Sequence, residues 1–207
     1  MNRSLLLAAA CALALATSCA TSTSVGEFAR FERASDLHTY TLKRVGVLPF
    51  TGAGVDASTS REYAEAFASA LAREASFEVR LLDVGDLDGV QKSETFRRGW
   101  THPSTPVELA RRYDLDAVVV GDVRRAQWFP PQRLDLSVDL LSVETGVPIW
   151  SGSVDLDGGD ERVRTALKRW YRHERRGEDA RGESWELYML SPRLFFEFAA
   201  TQTARGL

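Results

Sequence analysis

The chain has little with which to do redox or metal chemistry. Among 207 residues it carries only two cysteines and three histidines. Cys11 lies in a segment read below as removed, so Cys19 has no partner for a disulfide in the mature chain. His38, His102 and His173 show no metal-ligand spacing, and no spare thiolate could complete a set. A membrane-length apolar run is also missing: Leu5 to Ala16 spans about 12 residues, too short to cross a hydrocarbon core of roughly 30 Å as a helix. The net charge of -3 offers no general attraction for nucleic acid. There is no Gly-x-Ser-x-Gly elbow and no serine in a triad context. Gly52 and Gly54 stand between a strand and a helix, but the lysine of a phosphate loop and the third glycine of a dinucleotide loop are absent. Asp83, Asp86 and Asp88 alternate without the twelve-residue loop of a calcium hand, so they read as a solvated turn. The expectation is no catalytic residue, no metal, no cofactor and no enzymatic activity.

What is present starts at the amino terminus. Arg3 gives a positive start, the short apolar run follows, and Ala16-Thr17-Ser18 supply small residues before Cys19. That order is an export signal. Ala16-Thr17-Ser18-Cys19 is similar to the lipobox of bacterial lipoproteins, with Ala16 where the pattern prefers leucine. The similarity implies cleavage between Ser18 and Cys19, a lipid on the Cys19 thiol and stable membrane anchoring by two or more acyl chains. The alternative is an ordinary secretory signal that leaves a free thiol. Ala20 after the cysteine leans the reading toward the outer membrane, facing the periplasm.

Behind the signal, Thr21 to Ser24 reads as a tether, and Glu27 to Tyr40 fits a tether, a short helix or an edge strand. Fully extended, Ala20 to Leu42 would reach about 80 Å. Val45 to Phe50 reads as a buried strand stopped by Pro49. Thr59-Ser60-Arg61-Glu62 fits a capping box, followed by Tyr63, Ala64, Phe67, Ala68, Leu71 and Ala75 at helical spacing. Phe77 to Leu82 alternates as a second strand. Thr105-Pro106-Val107-Glu108 fits another capping box, for a helix to about Tyr113. Ala117 to Gly121 is a near-continuous apolar run, as in a strand covered on both faces. Leu134 to Leu140 alternates, Glu144-Thr145-Gly146 turns, and Val147 to Leu156 returns as a hairpin. Val163, Leu167, Trp170 and Tyr171 make a helical stripe. Arg172 to Glu183 interleaves both signs of charge and reads as solvated, with contact to anionic lipid as the alternative. Ser191-Pro192 starts a last helix.

Three stretches carry a family resemblance: Arg44 to Phe50, Leu115 to Val123, and Leu140 to Gly152. In that order, behind a lipoprotein signal, residues 42–157 resemble the small α/β domain shared by the TolB amino-terminal domain, the curli secretion lipoprotein CsgG, the flagellar lipoprotein FlgO and the penicillin-binding-protein activator LpoB. The resemblance implies a non-enzymatic periplasmic module that binds other envelope proteins. It implies no pore, because the one suitable hairpin is needed for the domain's own sheet.

The expected fold is α/β: a single small domain with a mixed β-sheet in the order strand-helix-strand-helix-strand-strand-strand, flanked by helices, plus a carboxy-terminal helical extension. The expected division is 1–18 signal peptide, 19–41 lipid anchor and tether, 42–157 the α/β domain and 158–207 the extension. Expected partners are the membrane, through lipid on Cys19, and an envelope protein, with a homo-oligomer as a further option and no nucleic acid. Trp128 and Phe129, in Trp128-Phe129-Pro130-Pro131 between two strands, are the candidate partner contacts, against the alternative that both fold back onto the sheet. Trp185 and Tyr188 raise the same question. A ligand-binding or enzymatic lipoprotein, with a cleft between sheet and carboxy-terminal helices, is the competing reading.

Overall fold

The computed structural model describes residues 21–25, 27–83, 108, 112–174 and 190–207. Seven strands form one mixed sheet in the order β1-β2-β8-β7-β6-β3-β5, and a two-residue strand, β4, pairs with β6 off this path. The strands are β1 Thr21–Val25, β2 Ala29–Ala34, β3 Arg44–Val47, β4 Thr51–Gly52, β5 Glu78–Leu81, β6 Ala117–Gln127, β7 Arg133–Ser142 and β8 Pro148–Asp157. The helices are α1 Ala57–Glu74, α2 Glu161–Glu174 and α3 Pro192–Ala204. No helix among the described residues is long and apolar enough to cross a membrane. The α/β class and the mixed sheet are those expected from the sequence.

The hairpin β7–β8 follows from its alternation. Leu134, Leu136, Val138 and Leu140 are fully buried on one face of β7, opposite Leu156, Val154, Gly152 and Trp150 of β8. A side-chain period of two sends the intervening residues, among them Asp135 and Asp155, to the other face. Strand β6 differs because both of its faces are covered. Ala117 and Val119 join the main core, while Val118 and Val120 join a second cluster with Leu48, Leu82, Leu115 and Leu141. Hence its run of apolar residues is continuous. Gly121 interrupts the run because a β-carbon there would lie 2.2 Å from the Phe50 ring. The carboxylate of Asp116 accepts from the amides of Lys43 (2.7 Å) and Arg44 (2.8 Å) and so aligns the starts of β3 and β6.

Helix α3 is the centre of the core rather than an appendage. Phe195, Phe196 and Phe198 are all fully buried in the cluster that contains the sheet and α1. Each is worth about 1.5–3 kcal/mol by removal of apolar area from water. Its start matches the sequence: Ser191 is the N-cap, with Pro192 at the first helical position. Helix α1 begins earlier than the capping box predicts. Asp56 is its N-cap and accepts from the Thr59 amide at 2.8 Å, so Thr59 lies inside the first turn.

Of the readings open for Glu27 to Tyr40, the strand reading holds for Ala29–Ala34, although β1 covers its outer side so that it is not the edge, and Leu37–Thr39 form a 3-10 turn. β2 pairs antiparallel with β8, and Phe31 is buried. Thr21–Val25 and Ala29–Ala34 therefore lie along the sheet, and these stretches are not part of an extended tether. The physical reason is that backbone groups and Phe31 gain more from the open edge of β8 than from water. Thr105, Pro106 and Val107 of the second capping box and most of Arg172 to Glu183 fall outside the described residues.

Candidate functional site

The strands divide the domain into two ends. Thr21 of β1 lies beside Ala34 of β2, and the starts of β3, β6 and β8 are at that same end. The opposite end carries the β6–β7 turn, the end of β8 and the starts of all three helices. It is the second end that gathers unusual surface.

Trp128 and Phe129 begin the β6–β7 turn, and the structure separates them. Trp128 is half-buried, its ring 6.2 Å from that of Tyr63 on α1. Tyr63 in turn stacks on Phe196 of α3 at 3.9 Å and 6°. Phe129 is 70% exposed. The turn beneath it is braced. The side-chain amide of Gln127 donates to the Pro131 carbonyl at 2.9 Å, and the Gly158 amide donates to the carbonyl of the buried Gln132 at 2.7 Å. A large apolar ring on a fixed turn loses little entropy when it is covered, which is the property of a binding anchor. Leu190, 54% exposed, lies at the same end, next to the α3 cap. There Arg193 of α3 approaches Glu62 of α1 at 3.9 Å.

Burial pushes the Tyr63 hydroxyl up to about 12, with help from the nearby Glu62 and Asp56 carboxylates. Its ring is therefore a neutral packing element between helix and turn. Asp56, at the start of α1, is held down to about 2 by the Thr59 amide, with the Ser58 and Thr59 side chains assisting. That carboxylate occupies the position an anion would need at this helix start, which works against a phosphate-loop role for Gly52 and Gly54.

A polar groove of about 690 Å³ opens nearby, where β8 runs past the end of β2. Four ion pairs line it, beside Glu27 and Arg30: Arg124 with Asp135 at 2.7 Å, Arg125 with Asp155 at 2.9 Å, Arg133 with Asp157 at 3.0 Å and Arg162 with Asp160 at 2.9 Å. Arg162 holds the Asp160 carboxyl below its usual range. Exposed pairs of this kind are largely screened by solvent. The groove lies where the sheet meets the first turn of α2, one of the carboxy-terminal helices, and does not extend between the sheet and α3. That interface is filled by Phe195 and Phe196, which are fully buried. Between α2 and α3 there is a smaller hollow of about 210 Å³ beside Trp170 and Phe198.

The other sequence candidates scatter. His38 and His173 are exposed on separate elements, and Asp83 pairs with Arg61 at 3.0 Å. No group of three or more His, Cys, Asp or Glu among the described residues is placed to hold a metal. Ser18, Cys19, Asp86, Asp88, His102, Trp185 and Tyr188 lie outside the described residues. Sequence reasoning missed Tyr63 and Leu190. Tyr63 stood in the helical stripe as an ordinary core residue, and nothing local marks it as the seat of Trp128.

No protein-family model and no curated protein sequence matches the chain. Among solved structures, it is similar to the PelC dodecamer from Paraburkholderia phytofirmans, at 14% identity and a TM-score of 0.44 over 67% of this chain and 87% of that one. It is similar to the lipoprotein GNA1162 from Neisseria meningitidis, at 16% identity and a TM-score of 0.42 over 66% and 99%. It is also similar to the LpoB carboxy-terminal domain from Salmonella enterica, at 20% identity and a TM-score of 0.37 over 56% and 84%. LpoB is one of the proteins whose shared domain the sequence resembles.

Proposed function

We propose that the chain is a lipoprotein of the bacterial cell envelope that works by binding another envelope protein and catalyses no reaction. In this reading residues 1–18 are the export signal, Cys19 carries the lipid, and the protein faces the periplasm from the outer membrane. The observation that carries the binding role is Phe129: a large apolar ring, 70% exposed, on a turn braced from both sides, in a domain whose core is otherwise closed. A single exposed apolar side chain is common on a protein surface, but a ring held on a fixed turn is pre-organised for a partner to cover.

Two experiments test the two halves. Cys19→Ala should leave the membrane fraction after a salt wash; retention there would overturn lipid anchoring. In-cell crosslinking of the native protein should recover a specific envelope protein, and Phe129→Ala should lose most of that recovery. Unchanged recovery from Phe129→Ala would remove Phe129 from the contact.

A second reading rests on the groove of about 690 Å³, a size that suits a small polar ligand. Native mass spectrometry of the freshly purified protein, with a bound small molecule lost on Arg125→Ala, would favour it.

A further inference from the structure

We infer that the Thr21–Val147 end of the sheet is a bilayer-contacting surface that holds the Phe129 end away from the membrane. The inference rests on the lipid-anchor reading of Cys19 and adds an orientation to it.

The first observation is the length of free chain. β1 begins at Thr21, so Ala20 alone separates it from Cys19. Two residues span at most about 7 Å, which leaves no tether. A lipid on Cys19 therefore holds the start of β1 at the membrane surface.

The second observation is register. Thr21 pairs with Ala34, and the neighbouring Arg33 pairs with Trp150 near the start of β8. Val147, in the β7–β8 turn just before β8, is thus two strands away from Thr21. At 4.7–4.9 Å per strand the lateral offset is about 10 Å. Val147 is 51% exposed and Pro148 beside it is exposed. The ionic neighbours at this end are mixed in sign: Arg44 pairs with Asp114 and Arg205 with Glu74, while Lys43 and Glu144, the latter in the same turn as Val147, are exposed. An exposed apolar pair within a rim of both charge signs suits the headgroup layer of a phospholipid surface, where apolar tips and charged heads can sit together.

The third observation is where the other exposed apolar side chains stand. Among the described residues the exposed large hydrophobics are Phe129, Val147 and Leu190. Strand β7 separates the turn of Phe129 from that of Val147, and Leu190 shares the Phe129 end. Ten residues of β8 cover about 33 Å. With Val147 on the bilayer, Phe129 and Leu190 stand about 30 Å above it. The partner is then met through a segment that projects clear of the membrane.

The test uses the acylated full-length protein in vesicles of phosphatidylethanolamine and phosphatidylglycerol. Cys19 is blocked by lipid, so Val147→Cys or Phe129→Cys supplies the one free thiol for an environment-sensitive fluorophore. Both positions are exposed and tolerate the change. Flotation comes first: failure of the wild-type protein to float with vesicles overturns the anchor and the orientation together. If it floats, lipids bearing a headgroup-level quencher should remove most of the emission at 147 and leave that at 129 unchanged. Quenching at 129 as strong as at 147, or quenching at neither, overturns the orientation and leaves the anchor standing.

Discussion

The ring of Trp128 lies 6.2 Å from that of Tyr63, while its chain neighbour Phe129 is left 70% exposed. One residue of the turn is thereby fixed to helix α1, and the next is offered to solvent. Truncation should divide the two accordingly. Trp128→Ala removes the ring that closes the turn onto Tyr63 and should cost about 1–3 kcal/mol, less than a fully buried tryptophan. Phe129→Ala should stay within about 0.5 kcal/mol while lowering partner recovery. Urea unfolding of both variants checks this; equal losses of stability would show that Phe129 is a packing residue.

Tyr63 links α1, α3 and the turn, and its hydroxyl is pushed up to about 12 by burial. The unfolded value is near 10. The folded state therefore holds this proton more tightly than the unfolded state. The corresponding stability is complete below about pH 10 and is lost as pH rises toward about 12. Tyr63→Phe should remove this alkaline loss. Denaturation of the two proteins at about pH 9 and about pH 11 makes the comparison, and parallel losses in both would place the alkaline sensitivity elsewhere.

At the start of α1 the sign is reversed. The Asp56 carboxyl is held down to about 2, chiefly by the Thr59 amide, against a model value of 3.8. Its contribution is present above about 3.8 and is lost as pH falls through about 2. Asp56→Ala should lower the melting temperature at neutral pH by removing the cap. Asp56→Asn should keep the cap without this acid titration. A helix start that Asp56→Ala leaves untouched, by melting at neutral pH, would return the capping role to Thr59.

Gly206 closes the sheet from below. Its carbonyl accepts from the Trp150 indole at 2.9 Å and also from the Arg33 guanidinium. A β-carbon at Gly206 would lie 2.0 Å from the Phe31 ring. Gly206→Ala should therefore cost about 1–3 kcal/mol through forced displacement of that ring. Because Phe31 belongs to β2, hydrogen exchange should accelerate there first; acceleration confined to α3 would point to a helix-end effect instead.

Much of the sheet was legible before the structure. Alternation in Leu134 to Leu140 and the turn at Glu144-Thr145-Gly146 mark β7 and β8 within a residue or two, because a two-residue period is a local property. Ser191-Pro192 marks the start of α3 for the same reason. Two things were less legible. Asp56 and Thr59, three residues apart, are both good caps, and the choice between them rests on backbone geometry rather than residue type. Strand β2 hides in a short mixed segment whose partner, β8, lies more than a hundred residues away, and its pairing is decided by that distant edge.

The amino-acid sequence alone determined the local facts of this protein: which runs alternate, where the β7–β8 hairpin turns and where α3 is capped. These follow from the side chains of neighbouring residues. Only the tertiary structure decided that Thr21 and Val147 share one end of the sheet and that Phe129 stands at the other. It also decided that Trp128 is held while Phe129 is free. Both outcomes depend on contacts between elements far apart in the chain, Tyr63 with Trp128 and β2 with β8, whose free energy exists only once the sheet and its helices have closed on one another.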